Sequence, residues 1–246
     1  MGAKALKRPR RQIIAIGGGG ITVNAAQPGF ERYILSQARK RNPRVCFIAT
    51  ATGDAASTIA LFYAAYTKHL CHLSHVAFFE RTPDLRERLL AQDVIYVGGG
   101  NTKSMLAVWR EWKLPSILKQ AWQSGVVLAG VSAGAICWFR QGVTDSWAGG
   151  LRPLPCLGWL PGACCPHYDS EIERRLTTRR LVNKGLLPDT LALEDGTAAH
   201  FVGRRLLRAV STRSAANAYL VRRRNGETTE TALPVRRLKN GAMNPL

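Results

Sequence analysis

From residue 12 to about residue 135 the chain alternates short, β-prone apolar runs with longer helical patterns, and this alternation limits the fold more than any other feature. The predicted strands are Gln12–Ile16, Arg44–Ala49, Ser74–Phe79, Asp93–Val97 and Gly125–Val131. Helical stretches lie between them at Gly29–Lys40, Ala55–Leu70, Pro83–Ala91 and Thr102–Ser124. The apolar runs lack the every-second-residue polarity of a half-solvated strand. Strands of that kind, each followed by a helix, build a parallel sheet covered on both faces. Thr82 reads as an N-cap ahead of Pro83, and Pro115 reads as the start of a second helix within the last segment, where its missing N–H costs nothing.

Beyond residue 135 the pattern changes. Residues 142–170 are rich in Gly, Pro, Trp and Cys and read as a folded but irregular excursion, followed by a strongly basic helix at Ser170–Lys184. The last third reads as short antiparallel strands, with Asn225-Gly226 as a two-residue hairpin turn between Ala218–Arg224 and Glu227–Leu233. The expected fold is therefore α/β. A parallel sheet with helices on both faces carries a C-terminal antiparallel β extension over about residues 188–246. No long linker interrupts residues 12–246, which read as one domain behind a basic tail of residues 1–11.

Composition narrows the function classes. With 46% hydrophobic and 21% charged residues, the 246-residue chain has a globular balance. No apolar stretch approaches the roughly 18–20 residues of a helical membrane span. The run Ile13–Ile16 behind the basic tail is too short for the core of a secretory signal, so a cytoplasmic location is expected. Cysteines 46, 71, 137, 156, 164 and 165 form no CxxC pair and are expected to be reduced and mostly buried. The formal charge of +19 favours attraction to polyanions or acidic substrates. It keeps a non-catalytic nucleic-acid binder as a rival reading, supported by Arg222-Arg223-Arg224 and the basic tail. Against it, aromatic residues are not interleaved with the basic clusters, and Tyr219-Leu220-Val221-Arg222 places many of those charges on a solvated sheet face.

The sharpest local feature is Gly130-Val131-Ser132-Ala133-Gly134-Ala135, directly behind the apolar run Val126–Ala129. A strand that turns abruptly into a helix presents a serine at its tip only if the neighbours are small, which is the G-x-S-x-G arrangement. Backbone N–H groups at such a turn can stabilise an oxyanion. A serine nucleophile needs a base. Of the five histidines, His69, His72 and His75 cluster around a predicted helix end and His200 lies in a predicted strand, which leaves His167 in the irregular Cys165-Pro166-His167-Tyr168-Asp169. Asp145, between serine and histidine in the chain, is a candidate to orient the imidazole, and Asp169 and Glu194 are the other carboxylates weighed. The order Ser132, Asp145, His167 is that of an α/β-hydrolase, but too few residues separate serine from histidine for that scaffold.

A second strand ends in glycines at Tyr96-Val97-Gly98-Gly99-Gly100-Asn101-Thr102, where backbone N–H groups can approach an anion. Ile16-Gly17-Gly18-Gly19-Gly20 is similar. It lacks the uninterrupted helix and the acidic residue about 20 positions on that a dinucleotide site needs. A zinc site from Cys156, Cys164, Cys165 and His167 is disfavoured by the adjacent cysteines. Cys137 lies beyond the elbow and reads as core.

In chain order Tyr96-Val97-Gly98-Gly99-Gly100-Asn101-Thr102, then Gly130-Val131-Ser132-Ala133-Gly134-Ala135, then Cys165-Pro166-His167-Tyr168 resemble the peptidase E (aspartyl dipeptidase) family of serine peptidases, whose flavodoxin-like scaffold is similar to class I glutamine amidotransferases. The resemblance runs from the first strand to about residue 210. It implies cleavage of dipeptides with an N-terminal aspartate through an acyl-enzyme, without metal or organic cofactor. It makes Ser132 the nucleophile, His167 the general base and Asp145 the third member, with Glu194 as second choice. The N–H groups of Gly99, Gly100 and Ala133 would form the oxyanion hole, and Asn101 would fix the glycine loop. A buried substrate carboxylate needs a cation, for which Arg174 is favoured over Arg175, with Glu171 or Glu173 left to bind the α-amino group. The expected partner is a small peptide substrate, with nucleic acid at most a non-specific electrostatic contact, on a monomer or homodimer. A cyanophycinase-like β-aspartyl peptidase is the nearest rival within hydrolases.

Overall fold

The apolar runs pair as their burial requires. In a computed structural model that describes residues 10–19, 21 and 29–239, five strands lie in parallel in the order β1-β5-β4-β2-β3. They are β1 (Gln12–Ile16), β2 (Arg44–Ile48), β3 (His72–Val76), β4 (Val94–Val97) and β5 (Val127–Val131). The crossovers carry α1 (Glu31–Leu35), α2 (Ala56–Tyr66), α3 (Leu85–Leu90), α4 (Thr102–Glu111) and α5 (Leu114–Ser124). Alternate residues go to opposite faces. Ile14, Ile16, Phe47, Tyr96 and Ala129 pack with Tyr33, Phe62 and Tyr66 of α1 and α2. Ile13, Ala15, Ile48, Ile95 and Leu128 pack with Leu106, Trp109, Leu118 and Trp122 of α4 and α5. Both faces being dry, neither set of positions is polar.

The rest of the chain completes this sheet and builds a second. After the short helix α6 (Ala133–Ile136) come β6 (Phe139–Thr144), β7 (Arg152–Pro155), β8 (Leu160–Cys165), α7 (Ile172–Asn183), β9 (Thr190–Leu193), β10 (Thr197–Val202), β11 (Arg205–Ser211), β12 (Ala218–Arg224), β13 (Glu227–Leu233) and β14 (Val235–Arg237). Strand β10 adds antiparallel to β1, followed by β11 and β14, which makes the first sheet eight-stranded. The second sheet has six strands in the order β13-β12-β9-β8-β6-β7. The antiparallel extension is thus divided between two sheets, and β14 runs parallel to β11. The hairpin falls where the sequence puts it, with positive φ at both Asn225 (50°) and Gly226 (85°), as its two-residue turn demands.

Several local readings need correction. Residues 142–170 are not an irregular excursion, because the end of β6 and all of β7 and β8 run through them. Pro153 and Pro155 obscure β7, and both are tolerated because β7 is an edge strand. Strand β3 begins at His72 and ends at Val76, so His72 and His75 belong to a strand. Helix α1 is shorter than its pattern. Asp84, not Thr82, caps α3, its carboxylate accepting the N–H groups of Arg86 and Glu87 at 2.9 Å each. Pro115 does open a new helix, α5, behind Lys113 at φ 52°. Residues 1–9 of the basic tail, Gly20 of the first glycine run and residues 240–246 lie outside the described residues. The six cysteines are free, with Cys71 and Cys156 half-buried and the others buried. Among the described residues no helix is long and apolar enough to cross a membrane.

Candidate active site

The C-terminal ends of β1, β4, β5, β8 and β9 supply every group of the candidate site, the end of an open α/β sheet at which ligands bind. At the end of β5 the chain reverses into α6 through Ser132, whose φ of 55° and ψ of −112° lie outside the ordinary regions for an L-residue. Backbone bonds hold it there. Its N–H donates to Ile16 C=O at 3.0 Å, and its C=O accepts the N–H groups of Ala135 and Ile136. The turn brings Gly134 against β4 so closely that a Cβ would stand 2.3 Å from Val97 O. Ala133 opens α6, and N–H groups of a first helical turn have no intrahelical acceptor.

Gly98 N–H donates to Ile48 C=O, and the loop then passes over the serine. A Cβ on Gly99 would lie 3.1 Å from Ser132 Cβ. Asn101 ends the loop. Its N–H donates to Ala51 C=O, its Oδ1 caps α4 by accepting Ser104 N–H at 2.9 Å, and its Nδ2 donates to Ser146 C=O at 3.2 Å.

His167 follows β8 with φ 53°, and its N–H donates to Gly17 C=O at 3.2 Å. The backbones of Ser132 and His167 therefore hang on consecutive carbonyls, Ile16 and Gly17, at the end of β1. His167 Nδ1 lies 2.8 Å from Asp195 Oδ1, and both side chains are about one-fifth exposed. A carboxylate only accepts, so Nδ1 carries the hydrogen of this bond, and in the neutral imidazole Nε2 is then the nitrogen with the lone pair. The hydrogen bond from His167 holds the Asp195 carboxyl below its ordinary value. The charges of His167 and Arg213 and a bond from Ser170 act the same way, against the opposing effect of burial. Gly18 makes room for the pair: a Cβ there would fall 1.9 Å from Asp195 Oδ1 and 2.5 Å from His167 Nδ1.

Asp195 was missed in the sequence, where it follows Glu194 and begins an Asp-Gly turn between β9 and β10. The expected acids are elsewhere. Asp145 is two-thirds exposed, with Oδ1 3.6 Å from Arg174 Nη2. Glu194 is buried and accepts from Asn217 N–H at 2.7 Å and Tyr219 OH at 3.1 Å. The geometry thus corrects the assignment of Asp145 or Glu194 as the partner of His167. Arg174 is 3% exposed and already engaged, with Nε 2.5 Å from Glu171 Oε2 and Nη1 3.1 Å from Val143 C=O. Glu171 connects this arginine to the histidine through its N–H, which donates to His167 C=O at 3.2 Å. Glu173 is exposed on α7. Arg175 stacks on Tyr168 and Tyr219 and pairs with Glu230. Cys164 and Cys165, neighbours on one strand, enter different core clusters, and among the described residues no three His, Cys, Asp or Glu side chains are arranged to hold a metal ion. Cys137 is fully buried, and burial pushes its thiol up. A cavity of about 570 Å³, lined by Arg44, His72, Glu87 and Arg88 among others, lies at the opposite, N-terminal ends of β2 and β3.

Comparison with known proteins agrees with this architecture. Residues 13–208 match peptidase family S51. The chain is 46% identical over 229 residues to the uncharacterized peptidase YgaJ of Bacillus subtilis (strain 168), covering 93% of this chain and 99% of that protein. Its fold is similar to that of a peptidase from an acI-B1 actinobacterium (TM-score 0.67, 17% identity, 91% of this chain and 95% of that one). It is also similar to a putative peptidase E from Listeria monocytogenes EGD-e (TM-score 0.59, 15% identity, 80% and 97%). The chain is a member of peptidase family S51, the peptidase E family.

Proposed function

We propose that the chain is a serine-type dipeptidase acting on short peptides with an N-terminal aspartate, through an acyl-enzyme on Ser132. The observation that carries the reading is that a strained serine at the strand–helix tip and a histidine whose Nδ1 is held by a carboxylate hang on consecutive carbonyls, Ile16 and Gly17, at the end of β1. In this reading His167 Nε2 accepts the Ser132 proton as Oγ attacks the scissile carbonyl. Asp195 fixes the tautomer and stabilises the imidazolium that forms. The N–H groups of Gly99, Gly100 and Ala133 receive the developing oxyanion. The imidazolium then protonates the leaving amine, and a water activated by the same nitrogen releases the aspartyl product.

Arg174 is the proposed determinant for the aspartyl side chain. Its Nη2 is 3.6 Å from the exposed Asp145 carboxylate, too far for a hydrogen bond, so a substrate carboxylate can take that position at little cost. Glu171, nearly half exposed, is placed for the α-ammonium group. The formal charge of +19 supports a second, weaker role, non-specific electrostatic contact with nucleic acid, recognisable by a steep loss of affinity with salt.

A panel of Asp-X, β-Asp-X and neutral dipeptides, assayed with and without a fluorophosphonate, tests the proposal. Cleavage confined to Asp-X and abolished by the reagent supports it. Preference for β-Asp-X selects the cyanophycinase-like alternative, and cleavage insensitive to the reagent contradicts the serine mechanism.

A further inference from the structure

Two segments meet at the candidate site, the one carrying His167 after β8 and the one carrying Asp195 between β9 and β10. One link between them is the imidazole–carboxylate bond, and Ser170 adds a bond to the same carboxyl. The backbone of Asp195 is held by a different link, from Asp169, two residues after His167, whose Oδ1 accepts the backbone N–H of Asp195 at 2.8 Å. The Oδ2 of Asp169 is 3.0 Å from Arg213 Nη1, and the same nitrogen donates to Asp195 C=O at 2.9 Å. Both backbone polar groups of Asp195 are thereby occupied by one ion pair.

Arg213 is itself fixed. The buried Ser211 hydroxyl accepts Arg213 N–H at 3.0 Å and donates to Arg213 C=O at 2.7 Å, so the arginine leaves the end of β11 in one orientation. Its stem packs over Gly196, the residue after Asp195. An ion pair between side chains that are one-quarter and one-half exposed adds little to stability. The value of this one lies in where its hydrogen bonds end.

We infer that Asp169 and Arg213 are positioning residues that hold the backbone of Asp195 independently of His167, so that the carboxylate keeps its place while the imidazole gains and loses its proton. The inference rests on the reading of Ser132, His167 and Asp195 as the catalytic set. Asp169 acts here as an acceptor for one N–H, a task that an asparagine oxygen can share, whereas the Arg213 bridge needs a guanidinium.

The test is the rate at which a fluorophosphonate labels Ser132, separated into maximal rate and reagent affinity, for wild type, Ser132→Ala, Asp169→Ala, Asp169→Asn and Arg213→Met. Methionine retains the packing over Gly196, which keeps the experiment informative if Asp169→Ala folds poorly. Asp169→Ala and Arg213→Met are expected to lower the maximal rate by about 10- to 100-fold, the scale on which a displaced catalytic group costs activity, with reagent affinity unchanged. Asp169→Asn is expected to recover much of that loss. Wild-type labelling with Asp169→Ala and Arg213→Met equal to wild type overturns the inference alone. Absence of labelling in wild type, or equal labelling of Ser132→Ala, overturns the nucleophile reading and the inference with it. A loss confined to reagent affinity also contradicts it, since a purely structural change in the cleft would act there.

Discussion

His167 Nδ1 lies 2.8 Å from Oδ1 of Asp195, 28 residues further along the chain, while the acid expected from chain order, Asp145, faces Arg174 instead. In the proposed mechanism this contact gives the orienting role to Asp195 by geometry rather than by position between serine and histidine. Asp195→Asn should therefore lower kcat on an Asp-X dipeptide by about 10⁴-fold, the cost of presenting the wrong tautomer in a comparable triad. Asp145→Asn should leave kcat near the wild-type value. Steady-state kinetics of the two variants check this, and the reverse ranking would restore Asp145.

Gly18→Ala tests the clearance around the pair. Its methyl group would fall 1.9 Å from Asp195 Oδ1, so either the carboxylate or the loop after β1 must move. The expected result is loss of most activity, with kcat down by about 100-fold, while the melting temperature changes little because the clash lies at the rim of the sheet. Circular dichroism melts beside the kinetics separate the two effects.

The pH dependence of stability is predicted to include a term from His200, which is remote from catalysis. This imidazole is buried on β10 with Nδ1 2.7 Å from Tyr33 OH and Nε2 3.1 Å from Gln12 Oε1, and burial pushes its pKa from 6.5 down to about 4. Between those values the unfolded chain binds a proton that the folded chain refuses. Stability from this residue is therefore complete above about pH 6.5, falls as the pH drops towards 4, and changes no further below it. The loss is about 3 kcal/mol at most. Urea midpoints for wild type and His200→Gln at pH 7 and pH 4.5 measure it, and the variant should lose less on acidification.

Arg174→Ala separates structure from specificity. The substitution removes a buried guanidinium from Glu171 and from Val143 C=O, and a cost of about 1–3 kcal/mol is expected, reduced by the partial exposure of both carboxylates. Selectivity for Asp-X over neutral dipeptides should fall with it. An unchanged preference in a folded variant would remove Arg174 from substrate recognition.

The parallel half of the fold was legible because strands buried on both faces are uniformly apolar, and the two-residue turn Asn225-Gly226 fixed one hairpin to the residue. Strands β6 to β8 were not, since Gly142, Pro153, Pro155 and Gly162 interrupt any period. The serine elbow announced itself through local sterics at Gly134. The partner of His167 did not, because nothing in Leu193-Glu194-Asp195-Gly196 says which of two adjacent carboxylates faces the imidazole. Pairing of β9 beside β12 turns Glu194 towards Asn217 and Tyr219 and leaves Asp195 on the other side. The first glycine run reads in the sequence as a second anion-approaching loop, whereas Gly18 is needed for clearance, its position lying against His167 and Asp195.

The most direct measurement is the intact mass of the protein quenched in acid during turnover of a slow aspartyl ester. A single aspartyl adduct mapped to Ser132, absent from Ser132→Ala, is the predicted result. An adduct on another residue, or continued hydrolysis by folded Ser132→Ala, would contradict the account.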